Sequence, residues 1–549
     1  MTSFKDLPPE VLREIIFQVL LADQAIPTRQ DEGAFVQDGS PTVDHKPEAV
    51  SASSLTKILT GSFIKGREIV HTLDTDHMYS ESEWYFECVN SRIQRKSLLA
   101  LSLTCWELNR VVEPVLWEII ELYGEMDADE DQNPVQELLY SILKRPVRAK
   151  YPKAVSLRRY KDFWDMVDTE AGGPPWKLLV NQPERFKNAT KKVTALMVVE
   201  DRTETQIQEF LDSCPASIQW ALIWFLMPNI RTANFPQTLP SFWERFIDTS
   251  NITALKFPPG LQHLEEFSLS SILEDGRCTP NFLLPIFMLP SLRTLYFDHF
   301  MTYDYAENWK LIRHPQSSYQ GKSVVQSLDF EMCVLLRDTL HILLKIPRAL
   351  ESFTWTWGRS FNRLTGEGAE GIVEALESQA KSLKRIHFRG PPDGRAEDYS
   401  VVGDIFALGF PMLEELGIPI SLVLFERGKG YPMPRIDTPL RTLASTLPPS
   451  LVKLRLYVYD EWLYSDWEIE LRELLEKKPK YTPRLAYIWI EYWISAEESK
   501  KPFTQEEEDE RLEKTAEINE SFEELVEEAD EAGVKLEMFL CGAGRSLYR

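Results

Sequence analysis

Arg385, His387 and Arg389 alternate with Ile386 and Phe388, and Lys453, Arg455 and Tyr457 alternate with Leu454 and Leu456 in the same way. Successive side chains of an extended chain point to opposite faces, so each run would bury its apolar members and present the polar ones together. The same reading puts Glu266, Tyr296, Asp298, Asp329 and Glu331 ahead of them on that face, and Tyr487, Trp489 and Glu491 after them. The face passes from acidic to basic to aromatic. Its chemistry is recognition: charged strips steer and orient a partner, and Tyr, Trp and Arg are the side chains that most often dominate an interface.

Patterns for bond-making chemistry are weaker. Gly366-Glu-Gly368-Ala-Glu-Gly371 has the spacing of a dinucleotide-binding turn, but its two glutamates would repel a pyrophosphate, and it reads as the start of a helix from Ile372 to Ala380 capped by Thr365. Asp127-x-Asp129-x-Asp131 has the opening spacing of a calcium loop, yet Gln132 stands where that loop needs Gly and Leu138 where it needs Glu. The eight histidines show no metal-ligand spacing, and neither a Gly-x-Ser-x-Gly elbow nor a phosphate-binding loop occurs. No catalytic residue, metal or cofactor is expected.

The elements that must hold the recognition face announce themselves by repetition. Ten segments carry an apolar residue followed three and five positions later by two more, recurring about every 32 residues. The clearest are Leu264-Phe267-Leu269, Leu292-Leu295-Phe297, Val325-Leu328-Phe330, Leu350-Phe353-Trp355, Leu383-Ile386-Phe388, Leu413-Leu416-Ile418, Leu451-Leu454-Leu456 and Leu485-Ile488-Ile490. Val193-Leu196-Val198 and Ile230-Ala233-Phe235 precede them. Positions four and six point the same way on a strand and predict a buried row, while positions three, five and seven face an open surface. Helical stretches fill most gaps, so the fold class is α/β: a solenoid of parallel strands inside and helices outside.

The 549 residues can bury a substantial core, and the formal charge of −24 disfavours duplex DNA or an anionic membrane surface as partner. No apolar run reaches a membrane span's length of roughly 18 residues, and Ile218 to Met227 fits a buried helix. The first residues lack a signal peptide's apolar stretch and the six cysteines form no Cys-x-x-Cys pair, so a cytoplasmic or nuclear chain with reduced thiols is expected. Glu497 to Glu531 holds 16 acidic and 4 basic residues, a net of −12. Leu512, Ile518, Phe522, Leu525 and Ala529 recur there at helical spacing, which predicts a capping helix over 504–532 with an acidic outer face, ended at Gly533 and followed by a strand from Val534 to Leu540.

At the amino terminus, Asp6-Leu7-Pro8-Pro9-Glu10 suits a helix start, and Val11, Leu12, Ile15, Ile16 and Val19 follow as two apolar rows. A second helical stretch, Leu98 to Val112, is expected to stop at Pro114. Leu7-Pro8-x-Glu10-x-Leu12-x-x-Ile15 resembles the start of an F-box. Leu98-Leu99-x-Leu101-x-x-x-Cys105-x-x-Leu108 with Leu116-Trp117 resembles its second half, although Leu21 to Lys96 stand where the family has a short connection. From about Val193 onward the spacing resembles a divergent leucine-rich repeat array of the long-unit type, in which Cys333 matches the family's Asn/Cys position.

The resemblance implies an F-box-like module over 1–120 with an insertion at 21–96, a lead-in over 121–191 and repeats over 192–549. It further implies a non-catalytic substrate receptor of an SCF-type (cullin-RING) ubiquitin ligase. Leu7, Pro8, Leu12, Ile15, Leu98, Leu101 and Trp117 would bind the Skp-type adaptor, and a protein substrate would lie on the concave face over Tyr296, Asp298, Asp329, Glu331, Arg385, His387, Arg389, Arg455, Tyr457, Tyr487 and Trp489. A repeat scaffold that binds partners without ubiquitin transfer is the alternative, with neither nucleic acid nor membrane as a partner in either reading.

Overall fold

The computed structural model describes residues 103, 106–123, 134–158, 188, 216–236, 256–270, 283–298, 300, 319–331, 333, 335, 337–356, 372, 375–389, 409–419, 442–458, 464–493 and 522–541. The chain divides into two compact units, Met1–Glu118 and Ile119–Arg549. In the first, the helix Trp106–Leu116 buries Val112 fully. It runs through Pro114 instead of stopping there. A proline removes only its own amide bond, and close to the carboxyl end of a helix little ladder remains beyond it to lose. Leu7, Pro8, Leu12, Ile15, Leu98 and Leu101 lie outside the described residues; Trp117 follows the helix, half-buried.

The second unit is one sheet of 12 strands, hydrogen-bonded in the order in which they occur along the chain. They are β1 (Ile119–Tyr123), β2 (Ala154–Arg158), β3 (Thr232–Pro236), β4 (Glu266–Ser270), β5 (Thr294–Asp298) and β6 (Ser327–Glu331), then β7 (Ser352–Thr356), β8 (Arg385–Arg389), β9 (Glu415–Pro419), β10 (Lys453–Val458), β11 (Tyr487–Trp493) and β12 (Lys535–Cys541). Every neighbouring pair is parallel. Parallel neighbours need a long crossover, and the intervening segments carry helices such as Pro134–Lys144, Ala216–Leu226, Arg337–Lys345 and Tyr464–Tyr481. The fold is therefore an α/β repeat, as the spacing predicts.

The ladder starts earlier than that spacing suggests. β1 and β2 come from 119–158, read from sequence as the module's end and a lead-in, and β3 takes β2 as its neighbour. Val193-Leu196-Val198 lies outside the described residues. β1 carries the same spacing in Trp117-x-x-Ile120-x-Leu122, with Ile120 and Leu122 buried and Ile119 exposed at position three, but it overlaps the Leu116-Trp117 ending of the amino-terminal motif, and β2 has Pro152 at its first position.

Register never slips across the eight repeats from β4 to β11. Position four stacks as Phe267, Leu295, Leu328, Phe353, Ile386, Leu416, Leu454 and Ile488. These residues, and Leu269, Phe297, Phe330, Trp355, Phe388, Ile418, Leu456 and Ile490 at position six, are all buried. Phe330 lies parallel to Phe297 with ring centroids 4.9 Å apart and meets Trp355 at 5.4 Å, close to the spacing of adjacent strands. A backbone clamp fixes the register: the carbonyl of Glu265 accepts from both Arg293 and Thr294, that of Arg293 from Gln326 and Ser327, and that of Glu351 from Lys384 and Arg385. Buried polar side chains tie successive turns together; the Gln379 amide donates to the carbonyls of Leu344 (2.7 Å) and Pro347 (3.2 Å) and accepts from the Leu350 amide (3.0 Å). A Gln there satisfies three backbone groups that burial would otherwise orphan.

The described end of the acidic tail closes the sheet, while 504–521, with Leu512 and Ile518 of the expected capping helix, lie outside the described residues. A helix spans 522–531 with Leu525 and Ala529 fully buried, Gly533 takes φ +65 after it, and β12 follows. Positive φ suits glycine at a helix end. Part of the acidic face is already engaged, because Arg472 pairs with Glu524 at 3.3 Å and Glu528 at 3.1 Å, while Lys478 donates to the Ala532 carbonyl at 2.7 Å. No helix among the described residues is long and apolar enough to cross a membrane.

Candidate functional site

The polar face is carried by positions three, five and seven of each strand, and its character changes along the sheet. On β5 and β6 the strands alternate between half-buried and buried, so Tyr296, Asp298, Asp329 and Glu331 keep part of their surface, and Glu266 on β4 is exposed. From β7 to β10 the alternation is largely lost, and it returns on β11. Ser352, Thr354 and Thr356 are buried, as is every residue of β9.

This corrects the expectation for four residues read from sequence as open. His387, Arg389, Arg455 and Tyr457 are only 2 %, 8 %, 7 % and 2 % exposed. Arg385, the first of its trio, is exposed. The local reason lies on β9, where Gly417 and Pro419 stand in register between His387 and Arg455 and beside Tyr457. Neither offers a long side chain, so the groups of β8 and β10 fold into the gap and meet one another.

There they form a connected set. Arg389 Nε donates to the Tyr457 hydroxyl oxygen at 3.3 Å, and that hydroxyl lies 3.3 Å from His387 Nδ1. His387 Nε2 lies 3.6 Å from Glu415 Oε1, and the same oxygen is 3.0 Å from Arg455 Nε. Burial, and then the charges of Arg389, Arg455, Arg385 and Lys453, hold the His387 pKa well below its usual range. The ring is therefore neutral near pH 7, and the network assigns its proton to Nε2, so that Tyr457 donates to Nδ1. Burial likewise raises the Tyr457 pKa and keeps the phenol protonated.

Arg455 also lies 5.3 Å from the Trp489 ring centroid. Tyr487 and Trp489, both half-buried, meet at 6.1 Å; Tyr487 bonds Glu537, and Lys535 sits 5.7 Å over the Tyr487 ring. The structure thus brings Arg389, His387, Tyr457, Arg455 and Trp489 together. Tyr296, Asp298, Asp329 and Glu331 belong to strands earlier in the ladder.

Sequence reasoning passed over Glu415, Gly417, Lys535 and Glu537. Glu415 and Gly417 occupy positions three and five of a segment that was itself recognised, so strand alternation alone could have placed them beside three cations. The arrangement joins one charge-assisted hydrogen bond, from Arg389 to Tyr457, and one ion pair, Arg455 with Glu415, both buried, to the half-buried Trp489 ring beside them. Among the described residues no group of three or more His, Cys, Asp or Glu side chains is placed to hold a metal ion. Cys333 is buried with its thiol 3.3 Å from the carbonyls of Phe297 and Glu331, and burial raises its pKa well above the usual thiol range.

Fold and face together define an α/β chain of repeated strand units, each adding a strand beside the last, with a polar and aromatic stripe over β8 to β12. Comparison with protein-family models and with curated proteins gives no match to this chain.

Proposed function

We propose that this chain is the substrate receptor of an SCF-type cullin-RING ubiquitin ligase acting in the cytoplasm or nucleus, with an F-box at its amino terminus and a leucine-rich repeat array after it. The observation that carries the reading is the pairing of the Leu7-Pro8 opening and the Leu116-Trp117 ending with a long strand repeat. Two features support it. The repeat keeps one register over many units, and Cys333 sets its thiol against the carbonyl of the neighbouring strand's Phe297, a way to seal a turn between stacked units.

The mechanism is proximity. Leu7, Pro8, Leu12, Ile15, Leu98, Leu101 and Trp117 hold the Skp-type adaptor and through it the cullin, and the polar face holds the target. The target's lysines then meet a loaded ubiquitin carrier at high effective concentration, with bond chemistry left to the other subunits.

Co-purification of the full chain with the adaptor tests this. The wild type is expected to retain adaptor and cullin, and a Leu7→Ser, Pro8→Ser, Ile15→Ser variant with unchanged circular dichroism is expected to lose both. Retention by the folded variant would mean that the amino-terminal residues are wrongly assigned as the adaptor contact, and no capture by the wild type would leave a repeat scaffold without ubiquitin transfer.

A further inference from the structure

Arg385, Glu415, Lys453, Tyr487 and Lys535 stand in register at the first positions of β8 to β12. Arg385, Lys453 and Lys535 are exposed. Glu415 lies between Arg385 and Lys453 in the ladder, yet its carboxylate turns inward to Arg455 and His387 and is only 6 % exposed. Lys535 is held by Glu537. Arg385 and Lys453 form no ion pair among the described residues. Three acids of the closing segment are engaged elsewhere, Glu524 and Glu528 with Arg472, and Glu537 with Tyr487 and Lys535. Two exposed cations without an ion-pair partner among the described residues, at the rim of a chain carrying −24, call for an anion from outside.

The spacing narrows the anion. One strand separates the two cations, which places their backbones about 9.6 Å apart. A β-extended peptide offers same-face side chains at about 6.7 Å or 13 Å, neither of which fits. A polyproline II segment presents every third side chain on one face at about 9.3 Å. Beside Lys453, Tyr487 and Trp489 expose part of their rings, and aromatic surfaces of this kind receive the prolines of such segments.

We propose that Arg385 and Lys453 bind an acidic, proline-containing segment of a partner protein, extended across the strands, with two carboxylates three residues apart. This deepens the receptor reading and rests on it for the fate of the bound protein; the binding step itself does not.

The test is fluorescence anisotropy with the full chain and three labelled peptides: an Asp-Pro-Pro repeat, a peptide of the same composition with its aspartates contiguous, and a Lys-Pro-Pro repeat. The wild type is expected to prefer the Asp-Pro-Pro repeat, with affinity falling as salt rises. Arg385→Glu with Lys453→Glu should weaken that binding by about tenfold or more and create binding of the Lys-Pro-Pro repeat, which also shows that the variant is folded. No binding by the wild type, equal binding of the contiguous peptide, or an unaffected charge-reversed variant would overturn the proposal. So would self-association of the wild type in sedimentation that the reversal abolishes, since the occupant would then be a second copy. Adaptor capture on the same samples separates the two ideas: peptide binding without adaptor sinks the receptor reading alone, and adaptor binding without peptide sinks this site alone.

Discussion

The Tyr457 hydroxyl sits 3.3 Å from His387 Nδ1 although β9 runs between their strands. Gly417 makes that reach possible, because a Cβ on it would fall 2.6 Å from His387 Nδ1 and 3.1 Å from the Tyr457 hydroxyl. Gly417→Ala is expected to force the two side chains apart and destabilise the chain by about 1–3 kcal/mol. The check is a lower urea midpoint at unchanged slope; an unaltered midpoint would mean that the ring swings clear without cost.

Tyr457→Phe removes the one oxygen that serves both Arg389 and His387. Stranding buried polar groups costs more than the bond itself is worth, so a loss of about 1–3 kcal/mol is expected. Tyr481→Phe, whose hydroxyl only meets Lys480 at an exposed site, should stay within about 0.5 kcal/mol. Equal effects in the two variants would show that the His387–Tyr457 set contributes nothing to stability.

The pH dependence follows from His387, whose pKa is lowered in the folded chain. Below its ordinary value of about 6.5 the unfolded chain binds a proton that the folded chain refuses, so stability falls as pH drops through that range and is fully retained above it. The limiting slope from one such group is about 1.4 kcal/mol per pH unit. Arg389, Arg455, Arg385 and Lys453 oppose the proton, while the Glu415 carboxylate lies 3.6 Å from Nε2. Urea midpoints at pH 7.5 and 5.5 should therefore separate more in the wild type than in His387→Gln, and parallel behaviour would remove His387 as the cause.

Phe330→Ala opens the middle of the aromatic stack between Phe297 and Trp355. A loss of about 3–5 kcal/mol is expected, seen as a lower melting temperature. Loss of at most a few tenths of that amount would mean that the neighbouring rings close the gap.

Cys333, buried and with a raised pKa, should resist alkylation until the sheet opens. Peptide-resolved mass spectrometry under rising denaturant should show it modified along the global unfolding curve; rapid labelling in buffer would contradict the packing of this turn.

Much of the sheet was legible because burial of positions one, four and six is a property of each short segment on its own. Leu292, Leu295 and Phe297 need only a strand and something to cover them, and parallel stacking repeats that demand at every unit. Gly533 and Val534 were legible for the same local reason, since positive φ and a following apolar run belong to a few consecutive residues. β1 holds the same spacing in Trp117-x-x-Ile120-x-Leu122, hidden by its overlap with the Leu116-Trp117 ending of the helical motif, and β2 was not legible because Pro152 stands where the triad has its first apolar residue.

The amino-acid order alone determined which side chains share a strand face: Arg385 with His387 and Arg389, Lys453 with Arg455 and Tyr457. Only the tertiary structure decided which of them meet water. Exposure depends on what the adjacent strand offers at the same register, and Gly417, contributing no side chain, let Tyr457 and His387 close over β9 while Arg385 and Lys453 stayed outside. Alternation is a rule along one chain segment, whereas burial is set between segments, by side chains far apart in sequence that compete for the same space.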